Sequence, residues 1–103
     1  MAHKVIWSPE AIEDLDSIAE YIIRDSPQHA ISVIDRALEM AARLSEFPFS
    51  GRVIPERSNH YLREQFIYSY RFMYSIQNDS IIVIAIIHAR RSLDYVSERL
   101  QHS

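Results

Sequence analysis

Cysteine is absent from this 103-residue chain, and glycine, tryptophan and lysine each occur once. Without thiols there are no disulfides, no thiolate nucleophiles and few structural zinc schemes, which fits a reducing cytoplasm. The longest apolar run, Ile81 to Ile87, falls far short of the roughly twenty residues that a membrane-spanning helix needs, so it reads as a buried strand. Residues 1–8 show no apolar h-region and no small-residue cleavage site, so no export is expected and the location implied is cytoplasmic, away from membranes.

What is present is apolar material and arginine. With 48% of residues hydrophobic and 24% charged, the chain buries enough surface to offset its ordering entropy without a metal or a covalent staple. Its length suits one domain over residues 1–103, with one core and room for one site. The net charge of −3 conceals an asymmetry: residues 1–50 hold 9 acids against 4 bases, and residues 51–103 hold 5 acids against 7 bases. Every base but Lys4 is arginine, whose planar fork suits bidentate contacts with carboxylates or phosphates. The positive half is therefore the expected functional end.

Val5, Ile6 and Trp7 read as a short strand, ended by Ser8 as a helix cap and Pro9 as a first helical residue. Ala11, Leu15, Ile18, Ala19 and Ile22 then recur at helical spacing, with Glu13, Asp16, Glu20 and Arg24 opposite. Ser26 and Pro27 repeat the start signal, and Ala30, Ile34, Ala37, Leu38, Ala41 and Leu44 form a second stripe until Pro48. So short a link predicts an antiparallel helical hairpin. The segment from Phe47 to His60 reads as an irregular connection, and its lone Gly51 as a position needing positive φ or close approach.

Beyond it the period changes. Tyr61–Ile67, Tyr70–Gln77 and Ile81–His88 read as three strands, the last apolar on both faces and so central in its sheet. Ser92–Leu100 reads as a terminal helix that buries Leu93, Val96 and Leu100. The fold class predicted is α+β in the order β-α-α-β-β-β-α, with the hairpin packed on a mainly antiparallel sheet of about four strands. The pairing position of the first strand stays open at this point.

Four segments in this order, "WSPEAIEDLDSIAEYI", "LSEFPFSGRVIPE", "LREQFIYSYRFMYSI" and "IIHARRS", cover almost the whole chain. Together they resemble the RelE/ParE toxins of type II toxin-antitoxin (plasmid stabilisation) systems, and the "IIHARRS" ending is closer to the ParE pattern. The resemblance implies a cognate antitoxin bound in a hetero-oligomer, and one of two targets: DNA gyrase, which ParE-like toxins poison, or the ribosome and its messenger RNA, which RelE-like toxins cleave. A relative that only binds antitoxin is a third possibility. Strands without lysine and an acidic chain favour the gyrase reading.

Were the chain an RNase, a metal-independent reaction would need a base, a proton donor and cations at the phosphate, and His88, Arg71, Arg90 and Tyr95 are the candidates. For target binding the candidates are Arg63, Arg71, His88, Arg90 and Arg91. Each has a plainer reading: a hydrogen-bonded rim for His88, support of the terminal helix for Arg90 and Arg91, packing on aromatics for Arg71, and, for Arg63 as for Glu64, surface ion pairing with cross-strand neighbours. The tyrosines Tyr61, Tyr68, Tyr70 and Tyr74 read as strand packing. For the antitoxin, Ile18, Ile22, Ile34 and Leu38 on the hairpin are the expected contacts. The acids Glu13, Asp14, Asp16 and Glu20 read as a solvated face, and neither metal nor cofactor is expected.

Overall fold

The computed structural model describes residues 2–101. Strand β1 (Lys4–Trp7) leads into helix α1 (Pro9–Ile23), and a short link joins it to α2 (Pro27–Glu46). Both helices start as their sequences dictate: Ser8 Oγ accepts the Ala11 N–H at 3.1 Å and Ser26 Oγ the His29 N–H at 3.2 Å, each followed by proline. Then come β2 (Arg52–Val53), β3 (Leu62–Ile67), β4 (Tyr70–Ile76) and β5 (Ser80–His88). A 3-10 turn over Leu93–Val96 runs into a short α3 (Ser97–Gln101).

The sheet has five strands in the order β1-β5-β4-β3-β2. β1 lies parallel to β5, and the other pairings are antiparallel. The fifth strand, β2, falls inside the segment expected to be irregular: Arg52 pairs with Glu64 and Val53 with Arg63. Two residues are too few to show an alternation, so only the pairing reveals it. The central place expected for the apolar β5 is found.

α1 and α2 cover one face, burying Ala11, Ala37, Met40, Leu44, Phe72, Tyr74, Ile81, Val83 and Ile86 together. The second face buries Ile54, Leu62, Met73, Ile84, Ala85 and Ile87 against Val96 and Leu100 of the C-terminal segment. That segment, expected as one helix, divides because Ser92 caps Asp94 at 3.2 Å and starts a tighter turn. The stripe of α2 buries Ala30, Ala37, Ala41 and Leu44 as expected and departs from expectation at two positions. Val33 and Met40 are buried, whereas Leu38 is 54% exposed and Ile34 only half-buried. No helix among the described residues is long and apolar enough to cross a membrane.

Candidate functional site

An irregularity in β5 decides where the C-terminal end points. Met73 faces Ala85 across the ladder but Tyr74 faces Val83, so Ile84 is an extra residue without a partner on β4. Such a bulge reverses the alternation of the strand beyond it. Before it Ile81 and Val83 turn to the helices, Ile84 and Ala85 then both join the opposite core, and after it Ile86 faces the helices again. His88, two residues on, falls on the helix side as well, opposite Tyr70, with its ring 5.5 Å from the Tyr70 ring. Without the bulge it would face the C-terminal segment.

His88 thereby enters a cleft of about 450 Å³ between α1 and the chain after β5. Ile18, Ile86 and Ile87 contribute its apolar lining, Tyr21, Tyr70 and Tyr95 its aromatic one, and Asp14, Ser17, His88 and Arg91 its polar groups. The loop at its lip is set by hydrogen bonds. His88 Nδ1 accepts the Arg90 N–H at 3.1 Å, the His88 carbonyl accepts the Arg91 N–H at 2.9 Å, and the Ser69 carbonyl accepts the Ala89 N–H at 2.8 Å. The guanidinium of Arg91 lies 4.3 Å from the centre of the Tyr95 ring, a cation-π contact. Burial, and then the neighbouring Tyr21, push the Tyr70 hydroxyl above its usual pKa of 10.0, so it is a proton-bearing donor at neutral pH.

Behind the cleft stands a residue that spacing assigned to the solvated acidic face. Asp14 is buried; its Oδ2 accepts the Ile86 N–H at 3.0 Å and meets Arg99 Nη1 at 2.7 Å, while Oδ1 meets Nη2 at 3.3 Å. Arg99 Nη1 also donates to the Ile84 carbonyl at 3.3 Å, which Ser8 Oγ reaches at 3.4 Å. β1 pairs with β5 only as far as Val83, so these side chains satisfy β5 backbone that has outrun its neighbour. The hydrogen bonds that Arg99 donates to Asp14 hold the Arg99 pKa above its ordinary value.

Arg71 lies elsewhere. Alternation along β4 turns it away from Tyr70, and it is buried between two carboxylates: Nε donates to Glu64 at 2.6 Å, and Nη1 and Nη2 straddle Glu56 at 3.1 and 2.9 Å. Glu64, expected in a surface pair, is also buried and binds Arg52 Nε at 2.7 Å through its other oxygen. The chain Glu56–Arg71–Glu64–Arg52 therefore alternates in sign, and the aromatic packing expected of Arg71 is replaced by ion pairing. Arg63 is likewise engaged: it donates to the carbonyls of His60, Phe49 and Gly51 at 2.9, 3.2 and 2.9 Å and lies 5.0 Å from the Phe49 ring centre. No cluster of three or more histidines, cysteines or acids that could hold a metal occurs among the described residues.

Of the residues expected at a site, the structure thus gathers His88, Arg91 and Tyr95 in one cleft, leaves Arg90 exposed on its rim loop, and commits Arg63 and Arg71 to internal partners. Tyr21 and Asp14 were missed. Tyr21 carried one usable signal, an aromatic outside the apolar stripe of its helix.

On the hairpin, Ile18 packs against the core and Ile22 is half-buried. Ile34 lines a groove of about 480 Å³ between the helices, together with Ala19, Ile23, Ala30 and Ile31 and with Asp16 and Glu20. Ile23 and Ile31, 52% and 59% exposed, were not expected there, and with Leu38 they leave an apolar strip on the outer hairpin.

Comparison with known proteins places this arrangement in context. Residues 5–93 match the family model for the ParE toxin of the type II toxin-antitoxin system parDE. A Sinorhizobium fredii protein named "Putative toxin Y4kP" is 31% identical over 88 residues, 85% of this chain and 90% of that protein. Among solved structures, one chain of the chromosomal ParDE TA system from P. aeruginosa superposes with a TM-score of 0.68 at 18% identity, covering 84% of this chain and 96% of that one. At that identity the likeness is one of fold.

Proposed function

Because this chain belongs to the ParE toxin family of type II toxin-antitoxin systems, we propose that it poisons DNA gyrase through the cleft and loop that follow β5, and that a cognate antitoxin silences it by folding along the helical hairpin. The observation that carries the first part is the fate of Arg71. A phosphate-cleaving site built from His88, Arg71, Arg90 and Tyr95 needs that arginine beside the histidine, and its fork is instead filled by Glu56 and Glu64. A cation already paired with two carboxylates has little left to stabilise a charged phosphorane. His88, Arg90 and Arg91 remain at the surface, suited to holding a partner by affinity.

The antitoxin part rests on the apolar strip of Ile23, Ile31 and Leu38 beside the groove at Ile34. A segment that folds on binding covers such a surface with its own apolar face. The cytoplasm, where gyrase works, is the location this reading requires. The RNase alternative keeps one supporting observation, since His88 and Tyr95 share the cleft with the Tyr70 donor.

Induction of the chain without antitoxin separates these readings when messenger RNA and plasmid DNA from the same cells are scored. Gyrase-linked DNA breaks with intact transcripts are the expected result. Cut transcripts with intact DNA would establish the RNase, and unimpaired growth with both intact would mark a relative that only binds antitoxin. Truncation after Ala89 is unsuitable as a test of the C-terminal end, because it removes the buried Val96 and Leu100 and the Arg99 partner of Asp14. Arg90→Ala with Arg91→Ala tests that end with the core intact.

A further inference from the structure

We propose that the Asp14–Arg99 pair is a positioning device for the cleft, and that the group it positions, Arg91, receives an acidic side chain of a protein partner. This rests on the reading of the C-terminal end as the part that contacts the toxin's target. A buried ion pair contributes little net stability, since desolvation offsets most of its attraction. Its bonds here show a more particular use. Asp14 holds the Ile86 N–H and Arg99 holds the Ile84 carbonyl, so together they grip the bulge that turns His88 into the cleft.

Arg99 then continues to the surface. Its guanidinium stands 5.9 Å from the centre of the Tyr95 ring, and that of Arg91 stands 4.3 Å from the same ring. The Tyr95 ring is 55% exposed, so these cations do much to fix its place. A connected path therefore runs from Asp14 through Arg99 and Tyr95 to Arg91 at the lip of the cleft.

Charge identifies what the lip accepts. Asp14 is matched by Arg99, and none of the ion pairs among the described residues involves Arg90 or Arg91. The floor beside them is apolar, with Ile18 and Ile86, and the Tyr70 hydroxyl is a donor. An arginine fork over such a floor fits one carboxylate on a short stem. A phosphate polymer fits poorly, since the chain carries −3 overall.

The test uses the full chain, with NMR of its labelled arginine side chains and acetate titrated against chloride at constant ionic strength. In the native protein the Arg91 resonances are expected to be shifted upfield by the Tyr95 ring, 4.3 Å away, and acetate is expected to perturb them. Asp14→Asn and Tyr95→Ala are each expected to abolish the ring shift, weaken acetate binding roughly tenfold, the loss of about one charge-assisted contact, and reduce growth arrest on induction. Glu13→Gln, on the solvent side of α1, leaves all three unchanged. Should Asp14→Asn not fold, Tyr95→Ala, at an exposed ring, and Arg99→Met carry the comparison.

A ring shift of Arg91 that persists in Asp14→Asn overturns the positioning role, and acetate acting at other arginines overturns the receptor. So does a short DNA oligomer that displaces acetate from Arg91. Loss of the ring shift and of acetate binding with growth arrest undiminished would overturn the reading of the C-terminal end while leaving the Asp14 device standing.

Discussion

The buried hydroxyl of Tyr74 accepts the backbone N–H of Gly51 at 3.1 Å and donates in turn to the Pro48 carbonyl at 2.7 Å. Gly51 has an ordinary φ of −78°, so the lone glycine serves close approach and not an unusual backbone. A Cβ there would stand 2.6 Å from both the Tyr74 hydroxyl and the Glu64 carbonyl.

Gly51→Ala is therefore expected to destabilise the fold by about 1–3 kcal/mol, the usual range for overpacking. Tyr74→Phe leaves the buried Gly51 N–H and the partly buried Pro48 carbonyl unpaired and costs about 1–3 kcal/mol by a different route. In the double variant the clash with the hydroxyl is gone, so the two costs fall short of adding. Urea denaturation of the two single variants and the double variant checks this, and strict additivity would show that the contact is not shared.

Glu64 is the hinge of the alternating charge chain, with side-chain exposure of 0% between Arg52 and Arg71. Glu64→Gln keeps the shape and removes the charge, leaving Arg71 buried with Glu56 as its one carboxylate. Breaking a buried pair from one side costs about 3–5 kcal/mol. A loss well under about 1 kcal/mol in the midpoint of chemical denaturation would contradict the assignment.

Glu56 predicts an acid-side effect. Its hydrogen bond to Arg71 holds its carboxyl below the ordinary value of 4.5. A folded-state pKa that is depressed stabilises the protein above the unfolded pKa, and this contribution is lost as pH falls through the folded value. Glu56→Gln should therefore lie below the native protein in melting temperature at neutral pH, with the gap closing as pH falls below about 4.5. The gap is modest because the Glu56 side chain is 45% exposed, and a gap that widens in acid would reverse the sign.

Local signals made the helix starts, the central β5 and the β3–β4 and β4–β5 hairpins legible in the sequence, because serine-proline caps, turn residues and periodicity act over a few residues. Long-range pairing was less legible. Asp14 sits among acids at helical spacing and differs from them only through Arg99, 85 positions away. The bulge at Ile84 lies within a run of apolar residues where either face is plausible, so the side on which His88 emerges had no sequence signature. The phase of α2 was misread at two positions for a related reason: Val33, Ile34, Leu38 and Met40 are all apolar, and only the packed fold selects Val33 and Met40 for burial.

That phase separates the hairpin residues into two experimental classes. Ile31 and Leu38 are 59% and 54% exposed, so an aspartate at either position stays in water and should change stability by no more than about 0.5 kcal/mol. Ile18 packs against the core, and aspartate there buries an unpaired charge, unfolding the chain or costing several kcal/mol. Ile31→Asp and Leu38→Asp should therefore abolish co-purification with the cognate antitoxin while their unfolding transitions match the native one, and toxicity should then persist when the antitoxin is present. Two stable variants that still bind antitoxin at native strength would remove the outer hairpin as its seat. Loss of binding in Ile18→Asp alone would carry no weight, because an unfolded toxin binds nothing.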